Sequence, residues 1–159
     1  MQHIAYYHSP IGFIELVEED GYLTVASFMD EQKNNATAIT PLLEKSIQQL
    51  DAYFAGKLKQ FELPLRPAGT AFQQSVWDQL VQIPYAETIT YLHMAKRLGN
   101  VKAIRAAASA NGKNPLAIII PCHRVVGADG KLTGYAGGLH RKQWLLEHEA
   151  KHGGSKTLF

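Results

Sequence analysis

The chain has 159 residues, 46% of them hydrophobic and 19% charged, a balance that excludes a disordered or fibrous protein and is enough for one ordinary domain or two small ones. No run of about 18 apolar residues is present, the opening MQHIAYYHSP lacks the layout of a secretory signal, and a single cysteine excludes an internal disulfide and a multi-cysteine zinc cage; the expected address is the cytoplasm, with no membrane partner and no use for the sequon Asn35-Ala36-Thr37. The formal charge of +2 hides an asymmetry: up to Gly69 five Lys or Arg face nine Asp or Glu, whereas from Thr70 onward eleven face five, so only the second part is suited to a polyanion such as nucleic acid.

Residues 3 to 28 alternate in short apolar runs broken by HSPIG and EEDGY, and Asp20-Gly21 is a hairpin signal, which together predict a small antiparallel sheet. Thr40 and Pro41 form an N-cap and first turn, after which Leu43, Ile47, Leu50 and Phe54 share a face until Gly56 stops the helix. KLKQFELPLRPAG, Lys57 to Gly69, has no period and is the linker candidate. Thr70 and Gln73 make a capping box for a helix with a Phe72, Val76 and Leu80 stripe. Thr90 caps the next helix, which ends at the corner made by Leu98, Gly99 and Asn100; Val101 to Ala110 form another, and the pair resembles a helix-turn-helix. NGKNP breaks the chain, and LAIII reads as a strand leading into Pro121. After the glycine-rich GADGKLTGYAGG, a last helix is expected from His140 to His152, stopped by Gly153 and Gly154.

The stretch AIIIPCHRVVG, Ala117 to Gly127, carries the one thiol. A lone cysteine often serves as a small core hydrophobe. A thiol with a reference pKa of about 8.5 is mostly protonated at neutral pH unless a base or a positive charge assists, and here His123 and Arg124 adjoin Cys122. A nucleophile and base also need an orienting group. Glu149 can serve: near the C-terminal end of its helix the macrodipole disfavours an anion, so a partner elsewhere would explain it, the alternative being a solvated helical carboxylate.

IPCHRVVG, the upstream Asn114-Pro115, GYAGG and KQWLLEHE together resemble the family of 6-O-alkylguanine-DNA alkyltransferases, densely from about Thr70 to Glu149. The resemblance implies an α+β fold: a ribonuclease-H-like N-terminal domain of antiparallel sheet plus helix over residues 1–66, then a mainly helical, winged-helix-like DNA-binding and catalytic domain with a helix-turn-helix over 67–159. It implies a monomer with no cofactor, no catalytic metal and no obligate protein partner, acting on double-stranded DNA that contains alkylated guanine. By carry-over, Cys122 takes the alkyl group, His123 is its base through a water, Glu149 orients His123, Tyr91 donates a proton to the leaving guanine and Asn114 braces the site. The carbonyls of Cys122 and Val125 accept from the guanine amine, while the Tyr135 ring and the Ala136 backbone N–H line the remaining face.

On the same resemblance Arg105 is the finger that fills the space a flipped base leaves, and the small Ala103 and Ala106 let the helix approach a minor groove; close helix packing is the other use of such side chains. Lys96, Arg97, Lys102 and Lys113 are expected on phosphates. The chain departs from the family pattern at Ala107 and Ala108, where Val-Gly is common, and at Ala136, where some members carry serine. Taken singly, Tyr91 and Asn114 have ordinary readings too, as a half-buried ring and a turn residue before proline. Two rivals remain: a binder of alkylated bases that does not repair them, and a zinc peptidase suggested by HEAKH, His148 to His152, which matches HExxH.

Overall fold

The computed structural model describes residues 1–153; the expected stop at Gly154 and the end of the 67–159 span lie outside the described residues. The chain separates into one unit of Met1–Ala68 with Pro115–Ala117, and a second of Gly69–Asn114 with Ile118 onward. No helix among the described residues is long and apolar enough to cross a membrane.

Three antiparallel strands, β1 (Gln2–Ser9), β2 (Gly12–Glu19) and β3 (Tyr22–Met29), form the sheet of the first unit in the order β1-β2-β3. Asp20 and Gly21 take positive φ of 51° and 83°, as a two-residue hairpin turn in the sense of the sheet twist requires. α1 (Pro41–Phe54) packs on the sheet, its start fixed by Thr40, which accepts from the Leu43 amide and donates to Glu18 at 2.7 Å. Its innermost residues are Leu43, Ser46, Leu50 and Tyr53, so the expected face is rotated by about one residue. Ser46 is tolerated there because its hydroxyl donates to the Leu42 carbonyl at 2.8 Å.

The linker candidate is partly structured. Leu65 bridges Leu23 in parallel, with the Leu23 amide on the Pro64 carbonyl at 2.8 Å, and Leu116 bridges Ala26 on the same strand. Two short lengths from distant parts of the sequence thereby satisfy backbone groups of β3 that would otherwise be open. The expected strand LAIII is corrected: only Leu116 pairs, and the chain turns directly afterwards, with Ile118 in the left-handed region at φ 70°. Side-chain apolarity made the stretch look like a strand, but Ile118, Ile119 and Ile120 are buried as a turn.

In the second unit α2 (Ala71–Leu80) starts on the expected Thr70–Gln73 capping box. Val76, Trp77 and Leu80 are its buried residues, whereas Phe72 is 39% exposed, a second correction to the expected stripe. Trp77 Nε1 donates to the Ala110 carbonyl at 2.9 Å, fixing α2 to the end of α4. β4 (Ile89–Thr90) leads into α3 (Tyr91–Arg97), capped by Thr90; a positive φ at Gly99 turns the chain into a 3-10 turn at Val101–Ala103 and then α4 (Ile104–Gly112). β5 (Val125–Val126) pairs in parallel with β4, Ile89 to Val125 and Thr90 to Val126, so the start of α3 is tied to the residues that follow Cys122. α5 (Leu139–Gly153) closes the unit.

The last turn of α5 abuts the loop before β4. Ala86 sits there at φ 67°, and a Cβ on Gly153 would fall 2.4 Å from the Ala86 methyl. Gly153→Ala should therefore lower unfolding stability by roughly 1–3 kcal/mol despite its better helix propensity. Most of that cost should vanish in an Ala86→Gly background, which also relieves the left-handed alanine; denaturant unfolding of the four proteins of the cycle measures it.

Candidate active site

Cys122 opens a 3-10 turn, Cys122–Arg124, entered from Pro121. Three residues per turn fan the three side chains apart, so that the thiol does not compete for the partner its neighbours share. That partner is Glu149 on α5, 1% exposed. His123 Nε2 lies 2.6 Å from Glu149 Oε2; Arg124 donates Nε to Oε1 at 2.8 Å and Nη2 to Oε2 at 3.1 Å; the Ala86 amide adds a donor to Oε1 at 3.2 Å. The remaining arm of Arg124, Nη1, donates to the Ile83 carbonyl at 2.7 Å. Arg124 is thus the counter-ion of Glu149.

The protonation pattern follows. Although burial opposes its charge, the His123 and Arg124 partners hold the Glu149 carboxyl well below the usual carboxylate range. Burial pushes His123 below its ordinary value against the pull of Glu149, and Arg124 and Lys142 push the same way. A neutral imidazole facing an anionic carboxylate carries its proton on Nε2, which leaves Nδ1 as the acceptor. Nδ1 is buried and has no hydrogen-bond partner among the described residues.

Cys122 itself is buried, and burial raises its thiol above the ordinary value, while hydrogen bonding from Asn114 and the charge of Lys142 act to lower it. Two asparagines fix its backbone. Asn114 Nδ2 donates to the Ile120 carbonyl at 2.7 Å, closing the turn that replaces the expected strand, and Asn111 Nδ2 donates to the Cys122 carbonyl at 3.3 Å. The same Cys122 carbonyl accepts from the Val125 amide, so two donors already reach it.

The expected residues distribute as follows. Cys122, His123, Glu149 and Asn114 come together in this cluster, with Val125 buried beside them. The Tyr135 hydroxyl is buried, and its phenol is pushed well above the ordinary value by that burial, with Cys122 and Glu149 adding to it. Ala136 is exposed, and Tyr91 lies with its ring centroid 5.9 Å from Lys142 Nζ. On α3, α4 and the turns at either end of α4, Lys96, Arg97, Lys102, Arg105, Ala106 and Lys113 are exposed and Ala103 is half-buried, while Ala107 and Ala110 turn inward. Small side chains on α4 therefore pack at one face and leave an open face around Arg105 at the other.

Three participants escaped sequence reasoning, Lys142, Asn111 and Ala86, and so did the pairing of Arg124 with Glu149. Lys142 lies seven residues before Glu149, two helical turns along the same buried face through Leu145, and that spacing was a readable signal. The zinc-peptidase reading of HEAKH fails on geometry. Glu149 is engaged by His123 and Arg124, the His148 and His152 rings pack on each other at 4.4 Å, and no group of three metal-ligating side chains exists among the described residues.

Both parts of the chain are similar to known proteins. The family model described as 6-O-methylguanine DNA methyltransferase, DNA binding domain, matches residues 71–151, and that of the same enzyme's ribonuclease-like domain matches residues 3–67. The methylated-DNA--protein-cysteine methyltransferase of Methanosarcina acetivorans is 48% identical over 152 residues, covering 92% of this chain and 97% of that protein. Its counterpart from Mycolicibacterium paratuberculosis is 46% identical over 156 residues, covering 95% and 94%. Among solved structures, Mycobacterium tuberculosis O6-methylguanine methyltransferase superposes with a TM-score of 0.86 at 44% identity, over 96% of this chain and 94% of that one. The OGT of the same organism in complex with DNA gives 0.87 at 44% identity over 94% of each. With both domains matched and relatives nearly half identical along almost the whole length, the chain belongs to the 6-O-methylguanine DNA methyltransferase family.

Proposed function

We propose that this protein repairs DNA by drawing a 6-O-alkylguanine out of the duplex and moving its alkyl group onto Cys122, once per molecule. The observation that carries this reading is the buried Cys122–His123–Arg124 turn held on Glu149, in a chain whose relatives are named methylated-DNA--protein-cysteine methyltransferases. A base inside the stack offers no line of attack to sulfur, so the nucleotide leaves the helix at a cost of a few kcal/mol. Arg105, exposed on α4, fills the gap, and Lys96, Arg97, Lys102 and Lys113 neutralise phosphates.

In the pocket His123 Nδ1 takes the thiol proton through one water, with Glu149 fixing the ring and bearing the opposite charge of the imidazolium that forms. The thiolate attacks the alkyl carbon; the S–C bond forms as the C–O6 bond breaks, and the electron pair goes to guanine. Tyr91 gives that anion a proton and recovers one from solvent, so the proton lost by sulfur balances the one gained by guanine. Val125 offers its carbonyl to the guanine amine, Tyr135 and Ala136 line the opposite face, and Asn114 keeps the Cys122 turn closed. A thioether has no good leaving group, hence no turnover. The protein acts as a monomer in the cytoplasm, without cofactor.

Incubation with a duplex containing O6-methylguanine should add the mass of one methyl to Cys122, and protein that has reacted should carry out no second transfer; an unmodified Cys122 would instead indicate a protein that only binds the base. Arg105→Ala should slow transfer from duplex DNA at least about tenfold more than transfer from the free base, since only the first requires flipping; parallel single-turnover rates measure the difference. Acid should destabilise the site: His123 is held below about 6.5 and Glu149 below about 4.3, so the unfolded chain binds more protons than the native one, and stability falls as pH drops below 6.5 and again through the carboxylate range. Glu149→Gln should flatten the lower part of that dependence and cost about 3 kcal/mol by leaving Arg124 buried without its anion, as read from unfolding midpoints across pH.

A further inference from the structure

Asn111, in the last turn of α4, carries a carboxamide that is buried and only half used. Its Nδ2 donates to the Cys122 carbonyl at 3.3 Å, while its Oδ1 is buried with no hydrogen-bond partner among the described residues. A buried amide oxygen without a donor is costly, and little is gained for that cost, because the Cys122 carbonyl already accepts from the Val125 amide. Leucine would fill the same space without the penalty. Nor can the group turn over to escape it, since the oxygen would then meet the Cys122 carbonyl acceptor to acceptor. The backbone beside it is held as well: Trp77 Nε1 donates to the carbonyl of Ala110 at 2.9 Å. The fold thus keeps an open acceptor, in a fixed orientation, on the side chain that touches the carbonyl of Cys122.

The base proposed to enter this site brings the donor that is missing. The exocyclic amine of guanine has two N–H groups, and the Val125 carbonyl takes one of them. The Cys122 carbonyl, expected from the sequence to take the other, has two lone pairs and already receives two donors, from Asn111 and from Val125. We infer that Asn111 Oδ1 accepts the second N–H of the guanine amine, so that α4 reads the flipped base at one end as well as presenting Arg105 to the duplex. The inference rests on alkylguanine as the substrate. It makes Asn111 a specificity-determining residue: a purine without the amine leaves Oδ1 buried and unpaired, and a site built to pair with a donor rejects the analogue that lacks it.

The test compares O6-methylguanine with O6-methylhypoxanthine, the same purine without the amine, in one duplex sequence. Asn111→Leu should reduce the single-turnover preference for guanine about fivefold or more, almost wholly through slower transfer from guanine. Comparing the ratio between the two proteins cancels any difference in the cost of flipping the two bases. Asn111→Ala, which cannot overpack, gives the same readout where leucine is not tolerated. Equal slowing on both bases is what a residue that only holds the Cys122 turn would give, and it overturns the inference. So does an unaltered protein that takes methyl from the two free bases at equal rates, a result that needs no variant to fold. In either case transfer from guanine continues and the repair reading stands; no transfer from either base overturns both.

Discussion

Everything at the site depends on the carboxylate of Glu149 receiving four donors in a place water does not reach. His123, both nitrogens of the Arg124 fork on that side and the Ala86 amide converge on its two oxygens. A buried carboxylate is tolerable only with such partners, and each partner is fixed in turn by the need to satisfy it. Arg124 reaches on to Ile83 and Ala86 belongs to the same loop, so the carboxylate holds α5, the Cys122 turn and the segment leading into α3 in one arrangement. The imidazole is left with one tautomer and one free lone pair, set by its neighbours rather than by its own preference.

That arrangement explains why the thiol can be buried and still be chemical. Burial by itself makes Cys122 a poorer acid, which suits a protein whose single reaction must not be wasted on stray electrophiles. Beside it stand a neutral imidazole tied to the Glu149 anion and a buried lysine tied to no carboxylate, the anion and the lysine both carried by the buried face of α5. The helix brings opposite charges into one interior without letting them pair, because Arg124 has already satisfied Glu149.

Local chemistry told the truth in the sequence wherever it was decided locally. The Thr70–Gln73 capping box, the Thr40 and Thr90 caps and the Asp20-Gly21 hairpin are satisfied by residues within a few positions, and all appear as read. Cys122, His123 and Glu149 were legible for another reason: their spacing matched a known family. What stayed hidden was decided by tertiary partners. Three consecutive isoleucines look like a strand until Asn114 closes their ends into a turn, and the arginine beside the cysteine looks like help for the thiol until its fork is found on a carboxylate from another helix. Lys142, in a helix rich in charged residues, gave no sign of burial except its register with Leu145 and Glu149.

The excursion of Pro115–Ala117 into the sheet of the first unit bears on how the molecule can be dissected. A fragment beginning at Gly69 would keep every side chain of the Cys122 cluster, yet it would lose both backbone bonds that Ala26 makes to Pro115 and Ala117. Those three residues stand between Asn114 and the turn that ends at Cys122, so trimming the amino-terminal portion releases the tether just ahead of Cys122. A shortened version would carry the whole Cys122 cluster on a looser leash, and its defect would be one of aim rather than of composition.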